Sequence, residues 1–257
     1  MIILNITLNI MIFNKLIFLH IPKTAGSSIR NTLKEKFKVI YEGTHDDYIK
    51  IGLNEKDKVK NLDINLISFN KHLPFDTIKK VNNYEEKKIF TFVRNPFSRT
   101  VSLYFECLRD KQHHIIGINP KTTFEFFLEK ISKKNHWFTM PMINWIGKDN
   151  LNKLNYIGKI ETIDSDLKNI NKKFKIFIPF KYHNFNNSIG KKYNPPNYLE
   201  FYKNEKNIEK VQDIFKEDFE NFSYDFENFK KFENKKIKKT FIIYNLIKKK
   251  IFNLLNK

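Results

Sequence analysis

The stretch Phe18-Leu19-His20-Ile21-Pro22-Lys23-Thr24-Ala25-Gly26-Ser27-Ser28 decides the fold. Leu16 to Leu19 is a continuous apolar run, which predicts a strand buried on both faces of a parallel sheet. Pro22 and Gly26 bracket a turn, and Thr24, Ser27 or Ser28 is expected to cap a helix running to about Phe37. A helix start offers unpaired N–H groups and a positive dipole end, so this turn predicts an anion site, with Lys23 adding a mobile charge. It is not a Walker loop, because Lys23 precedes Gly26 and no Gly-Lys-Ser/Thr triplet occurs.

A second segment, Phe92-Val93-Arg94-Asn95-Pro96-Phe97-Ser98-Arg99-Thr100-Val101-Ser102, repeats the scheme. Lys87 to Val93 predicts a strand, and Pro96 suits the first position of the next helix. Arg94 then leaves the carboxyl end of that strand, where ligands bind in open α/β sheets. Ser98, Val101, Ser102 and Phe105 share one helix face, so Ser102 is expected to join Arg94 on a single phosphate. Together the two segments predict two anion clamps at one sheet edge, suited to a nucleoside carrying phosphate at both ends.

At these residues the chain resembles the sulfotransferases that use 3'-phosphoadenosine 5'-phosphosulfate (PAPS), in the carbohydrate group typified by heparan sulfate 2-O-sulfotransferase. Pro22-Lys23-Thr24-Ala25-Gly26-Ser27-Ser28 resembles that family's 5'-phosphosulfate loop, and Arg94 through Ser102 resembles its 3'-phosphate motif. Tyr156 to Glu161 and His183 to Ser188, followed by Tyr202, Asp218-Phe219 and Tyr224-Asp225, are further similarities. The resemblance implies an α/β, P-loop-like three-layer fold with a central parallel sheet flanked by helices. It implies PAPS as sulfuryl donor without a metal, and a carbohydrate or other hydroxyl as acceptor. Lys23, Thr24, Ala25, Gly26, Ser27, Ser28, Arg94, Ser102 and Lys192 would bind the donor, Lys23 also acting in catalysis. His72, just past an apolar run at Ile64–Phe69, matches the family's base; Asn70 and Lys71 depart from the usual histidine and glycine before it. A neutral imidazole suits proton removal near neutrality.

Composition sets the frame. A chain of 257 residues suits one α/β domain, assigned to 1–234, and a C-terminal extension at 235–257. The net charge of +19 ordinarily suggests an anionic partner. Only four of the 47 basic residues are arginine, however, and Asn and Ile are abundant, so the charge reads as compositional bias and no nucleic-acid partner is expected. It also makes Arg30, Arg94, Arg99 and Arg109 informative, since arginine's fork suits phosphate. The lone Cys107 lies on an apolar helix and predicts core packing, and no cysteine–histidine cluster has metal spacing.

Val39 to Tyr41 and Ile64 to Phe69 are expected as further strands, and Pro74 to Asn82 and Asp164 to Phe174 as helices. Thr122 to Gly147 is helical and aromatic, suited first to core packing and second to an acceptor cleft. Residues 1–13 are apolar but too short and too often broken by asparagine for a signal peptide or membrane span; Met11 is an alternative start. The expected setting is cytoplasmic. Isoleucines and leucines at helical spacing among lysines in 235–257 suit either a docked helix or contact with an anionic membrane face. The alternatives to sulfuryl transfer are a P-loop-type nucleotide kinase and a basic nucleic-acid binder, neither of which carries its own motif.

Overall fold

The computed structural model describes residues 11–41, 74–81, 83–109, 116–133, 136, 138–179 and 197–225. The apolar run forms a strand, β2 (Leu16–Leu19), with every residue buried, as the lack of alternation requires. Before it comes β1 (Met11–Phe13), joined by Asn14 and Lys15, with Met11 opposite Phe18 and Ile12 opposite Ile17. Sequence reading treated residues 1–13 only as a rejected targeting segment and missed this hairpin. Lys87 Nζ steadies its turn by donating to the carbonyls of Phe13 and Asn14 at 3.2 and 2.9 Å.

After β2 follow α1 (Gly26–Lys34) and β3 (Val39–Tyr41), then α2 (Phe75–Ile78) and β4 (Lys88–Val93). The long helix α3 (Pro96–Arg109) leads to α4 (Phe124–Lys133), α5 (Met142–Ile146), β5 (Tyr156–Lys159) and α6 (Ile163–Phe174), and α7 (Glu205–Ile214) and α8 (Lys216–Asn221) close the described chain. The sheet order is β3-β1-β2-β4-β5. β2–β4 and β4–β5 are parallel, whereas β1 runs antiparallel to both β2 and β3. The expected parallel sheet is thus real for four strands and interrupted by β1, because a two-residue link cannot make the crossover that parallel pairing needs.

Leu16 and Phe18 of β2 and Phe90 and Phe92 of β4 form one core with Ile29 and Leu33 of α1 and Ile163, Leu167 and Ile170 of α6. The alternate strand residues Ile17, Leu19, Ile89 and Thr91 are equally buried, so the other face is covered too and the arrangement has three layers. Gly158 makes room in β5: a Cβ there would strike the Phe92 ring. Cys107 is buried, as are Phe124, Phe127 and Trp145, which supports core packing rather than cleft lining for that aromatic stretch. The Ile64–Phe69 run, His72, Trp137, residues 183–188, Lys192 and the tail 235–257 lie outside the described residues.

The C-terminal helices are fastened by a buried carboxylate. Asp218 of α8, fully enclosed, accepts from the backbone N–H groups of Met142 and Ile143, each at 2.8 Å, and so caps α5 from a distance of 76 residues in sequence. Burial pushes its carboxyl up to about 6, against the opposing pull of Arg99 and the two amides. The native state therefore holds this proton more tightly than the unfolded chain, and the stability it contributes is full below pH ~4 and declines as pH rises through about 6. We predict that the stability of the protein relative to Asp218→Asn falls by about 2–3 kcal/mol between pH 4 and 7.5, read by urea unfolding. A difference independent of pH would refute the shift.

Candidate active site

Because β2 and β4 are parallel and in register, with Leu19 opposite Thr91, the loops that follow them leave the sheet at the same edge. The Thr91 hydroxyl donates to the Leu19 carbonyl at 2.6 Å and pins the two strands just before they end. After β2 the backbone turns through Lys23 and Ala25, both left-handed at φ 66° and 57°. Ala25, not Thr24, Ser27 or Ser28, is the N-cap of α1, and no side chain caps it. The Thr24 hydroxyl turns inward instead and donates to the Ile21 carbonyl at 2.9 Å. The amides of Thr24, Ala25, Gly26 and Ser27 consequently have no acceptor among the described residues. Left-handed residues alternating along a turn form a concave nest of N–H groups, and here the nest opens a nine-residue helix.

Gly26 is obligatory for a packing reason. A Cβ at this position would collide with the imidazole of His20, which is buried and stacked on Phe18 with ring centroids 5.8 Å apart. The loop can therefore pass close over the strand only where no side chain intervenes.

The second loop is built on Asn95. Its side-chain oxygen accepts from the amides of Phe97 and Ser98 at 3.0 and 3.4 Å, capping α3 ahead of Pro96 at the first helical position. Its own amide donates to Glu161 Oε1 at 2.7 Å, tying in the chain beyond β5. Arg94 Nε donates to Ser98 Oγ at 2.9 Å, and Nη1 donates to the Lys23 carbonyl at 3.3 Å. The two predicted clamps thus touch through one guanidinium.

Below them lies Arg99, wholly buried. Its Nε donates to the Pro22 carbonyl and Nη2 to the Met140 carbonyl, both at 3.1 Å, and its guanidinium carbon sits 5.7 Å from the Phe215 ring centre. Burial is the main cause that lowers it to about 10; Asp218 counteracts and Arg94 adds to the fall. Arg99 is therefore a support for the first loop rather than a ligand group. Arg30 is also buried and donates to Asn31 Oδ1 at 3.4 Å from Nε.

One face of α3 serves both loops. Ser98, Ser102 and Glu106 recur at intervals of four, so they stand above one another along the helix. Ser98 holds Arg94, Glu106 Oε2 meets Lys23 Nζ at 2.7 Å, and Ser102, half-buried, stands between. Ser98 is thus the serine that Arg94 meets directly, and Ser102 stands one turn further along the same face. Lys23, Thr24, Ala25, Gly26, Ser27, Ser28, Arg94 and Ser102 are accordingly gathered at one edge, while His72 and Lys192 are outside the described residues. Sequence reading missed Asn95, although Asn before Pro is a helix-start signal, and it missed Glu106, whose spacing of eight from Ser98 was the available clue.

Gly26→Ala should cost about 1–3 kcal/mol through overpacking against His20. The double variant with His20→Ala should regain part of this, both read by urea unfolding. Equal stability of Gly26→Ala and the parent protein would show that the loop does not need the close approach.

Among the described residues no group of His, Cys, Asp and Glu is arranged to hold a metal, and no helix is long and apolar enough to cross a membrane. No curated protein and no solved structure matches the chain. Residues 8–225 match the family model of the sulfotransferases, a span that includes both loops, every strand of the sheet and the Asp218 cap. The chain belongs to the sulfotransferase family.

Proposed function

We propose that this enzyme moves the sulfuryl group of PAPS to a hydroxyl acceptor, most simply a carbohydrate hydroxyl, by in-line displacement at sulfur. The observation that carries the reading is the junction of the two clamps: Arg94 reaches the Lys23 carbonyl and Ser98 beside four amides with no acceptor among the described residues. Those amides and the hydroxyls of Ser27 and Ser28 suit a 5'-phosphate, and a guanidinium at the neighbouring strand end suits a 3'-phosphate.

In the transfer the acceptor oxygen bonds to sulfur as the bond from sulfur to the bridging oxygen breaks, leaving 3'-phosphoadenosine 5'-phosphate. Lys23 would neutralise charge growing on that bridging oxygen, and His72 would take the acceptor's proton. The protein's part is alignment and charge stabilisation, as in phosphoryl transfer. Family membership favours sulfuryl transfer over the nucleotide-kinase alternative. The carbohydrate acceptor and the role of Lys192 rest on the motif resemblance alone.

Thermal unfolding with 3'-phosphoadenosine 5'-phosphate, against ADP with magnesium, tests the donor. Ligand at 100 times its Kd should add about 2.7 kcal/mol of stability. Arg94→Ala should weaken that binding by about 1.5–3 kcal/mol, the worth of a hydrogen bond to a charged group. Stabilisation by ADP-magnesium alone would overturn the donor assignment. His72→Ala should lower kcat by about 10²–10⁴-fold in a sulfate-transfer assay while nucleotide binding holds. Unchanged turnover would remove His72 from the base role.

A further inference from the structure

Lys23 is the cation on which the first clamp depends, yet its ammonium is already engaged. Glu106 Oε2 lies 2.7 Å from Nζ, with side-chain exposures of 23% for Lys23 and 18% for Glu106, so the pair is largely shielded from water. Glu106 belongs to α3, 83 residues away, and stands two turns along from Ser98, which holds Arg94. The same helix face thus holds the working cation of each loop. The two holders differ in charge: the Ser98 hydroxyl is neutral, whereas the Glu106 carboxylate cancels the charge of Lys23.

From this we infer that Glu106 is a positioning residue and a built-in competitor for the donor's 5' anionic group, the counter-ion that Lys23 must share or exchange when nucleotide binds. The inference rests on the donor reading above. Two physical effects follow from the geometry. With no ligand bound, the carboxylate keeps the long lysine chain in one arrangement over the loop, removing rotamer freedom that binding would otherwise have to remove. With nucleotide bound, the carboxylate lies close to the ligand's negative charge, and in a partly shielded place such proximity opposes binding more than it would in open water. The net result is a donor loop held ready yet tuned below its greatest affinity. A sulfotransferase gains from this at the end of its cycle, since the leaving product carries phosphate at both ends and would be held harder by an uncancelled Lys23.

The test is calorimetric titration of 3'-phosphoadenosine 5'-phosphate into the full chain, its Glu106→Gln variant, Lys23→Ala, and the double variant. Glu106→Gln keeps the shape and removes the charge. It should tighten binding about tenfold, lower kcat through slower product release, and do both without change in the cofactor-free melting profile beyond that of a part-exposed pair. In the Lys23→Ala background the same change should gain less than about threefold, because the competition has lost its object. Affinity that is unchanged or weaker in Glu106→Gln overturns the inference, and so does an equal gain in both backgrounds, which would mean that the carboxylate acts on the anion and not through Lys23. Failure of the parent protein to bind this nucleotide at all would defeat the donor reading, and this inference with it. Glu106→Asp, which keeps the charge on a shorter arm, should restore the parent affinity to within about threefold if Gln has acted through charge.

Discussion

A single buried cation holds together the edge that carries the two loops. Arg99 is wholly buried, and its guanidinium joins the carbonyl of Pro22 in the first loop to that of Met140 ahead of α5, with Phe215 against its face. A guanidinium in such a place is tolerable only because carbonyl dipoles and the nearby Asp218 carboxylate offset its lost hydration. Asp218 in turn holds the amides at the head of α5. Three segments distant in sequence are therefore located by one coupled pair of buried charges, and the loop carrying Lys23 has its backbone fixed from below before any ligand arrives.

Above this support the division of labour is by backbone and side chain. The first loop offers amides and reserves its hydroxyl at Thr24 for the Ile21 carbonyl. The second offers a guanidinium aimed by Ser98. α3 acts as a ruler between them, since residues four apart on a rigid helix set how far the Arg94 and Lys23 heads can stand from one another.

Much of this was legible in the chain because strand-turn-helix junctions are local events. The apolar run of β2, the Pro22–Gly26 turn, the Arg94 loop with Pro96 at a helix start, and the helix α6 follow from residues adjacent in sequence. What was not legible depends on partners far apart. Nothing near Lys23 indicates that Glu106 meets it across 83 residues, and nothing near Asp218 announces a cap on α5. The expected Ser/Thr cap on α1 failed for an instructive reason: Thr24 has a nearer acceptor in Ile21, and the backbone spends two left-handed residues making a nest that a side-chain cap would fill. β1 escaped notice because three apolar residues broken off by Asn14 make too short a signal to separate from a discarded leader.

The mixed sheet bears on how the molecule comes to be assembled. β1 and β2 meet across two residues, a contact any short piece of the chain can sample. β2 and β4 meet across 72, and closing such a span costs roughly 4 kcal/mol of chain entropy by the logarithmic law before packing offsets it. The junction of the two loops lies on the far side of that second contact, because it needs Arg94 and α3 beside Lys23. A short N-terminal piece of the chain thus contains its hairpin and the Lys23–Ser27 turn while lacking the guanidinium that touches that turn. The two loops are brought together in one step, with the non-local closure of β4 on β2.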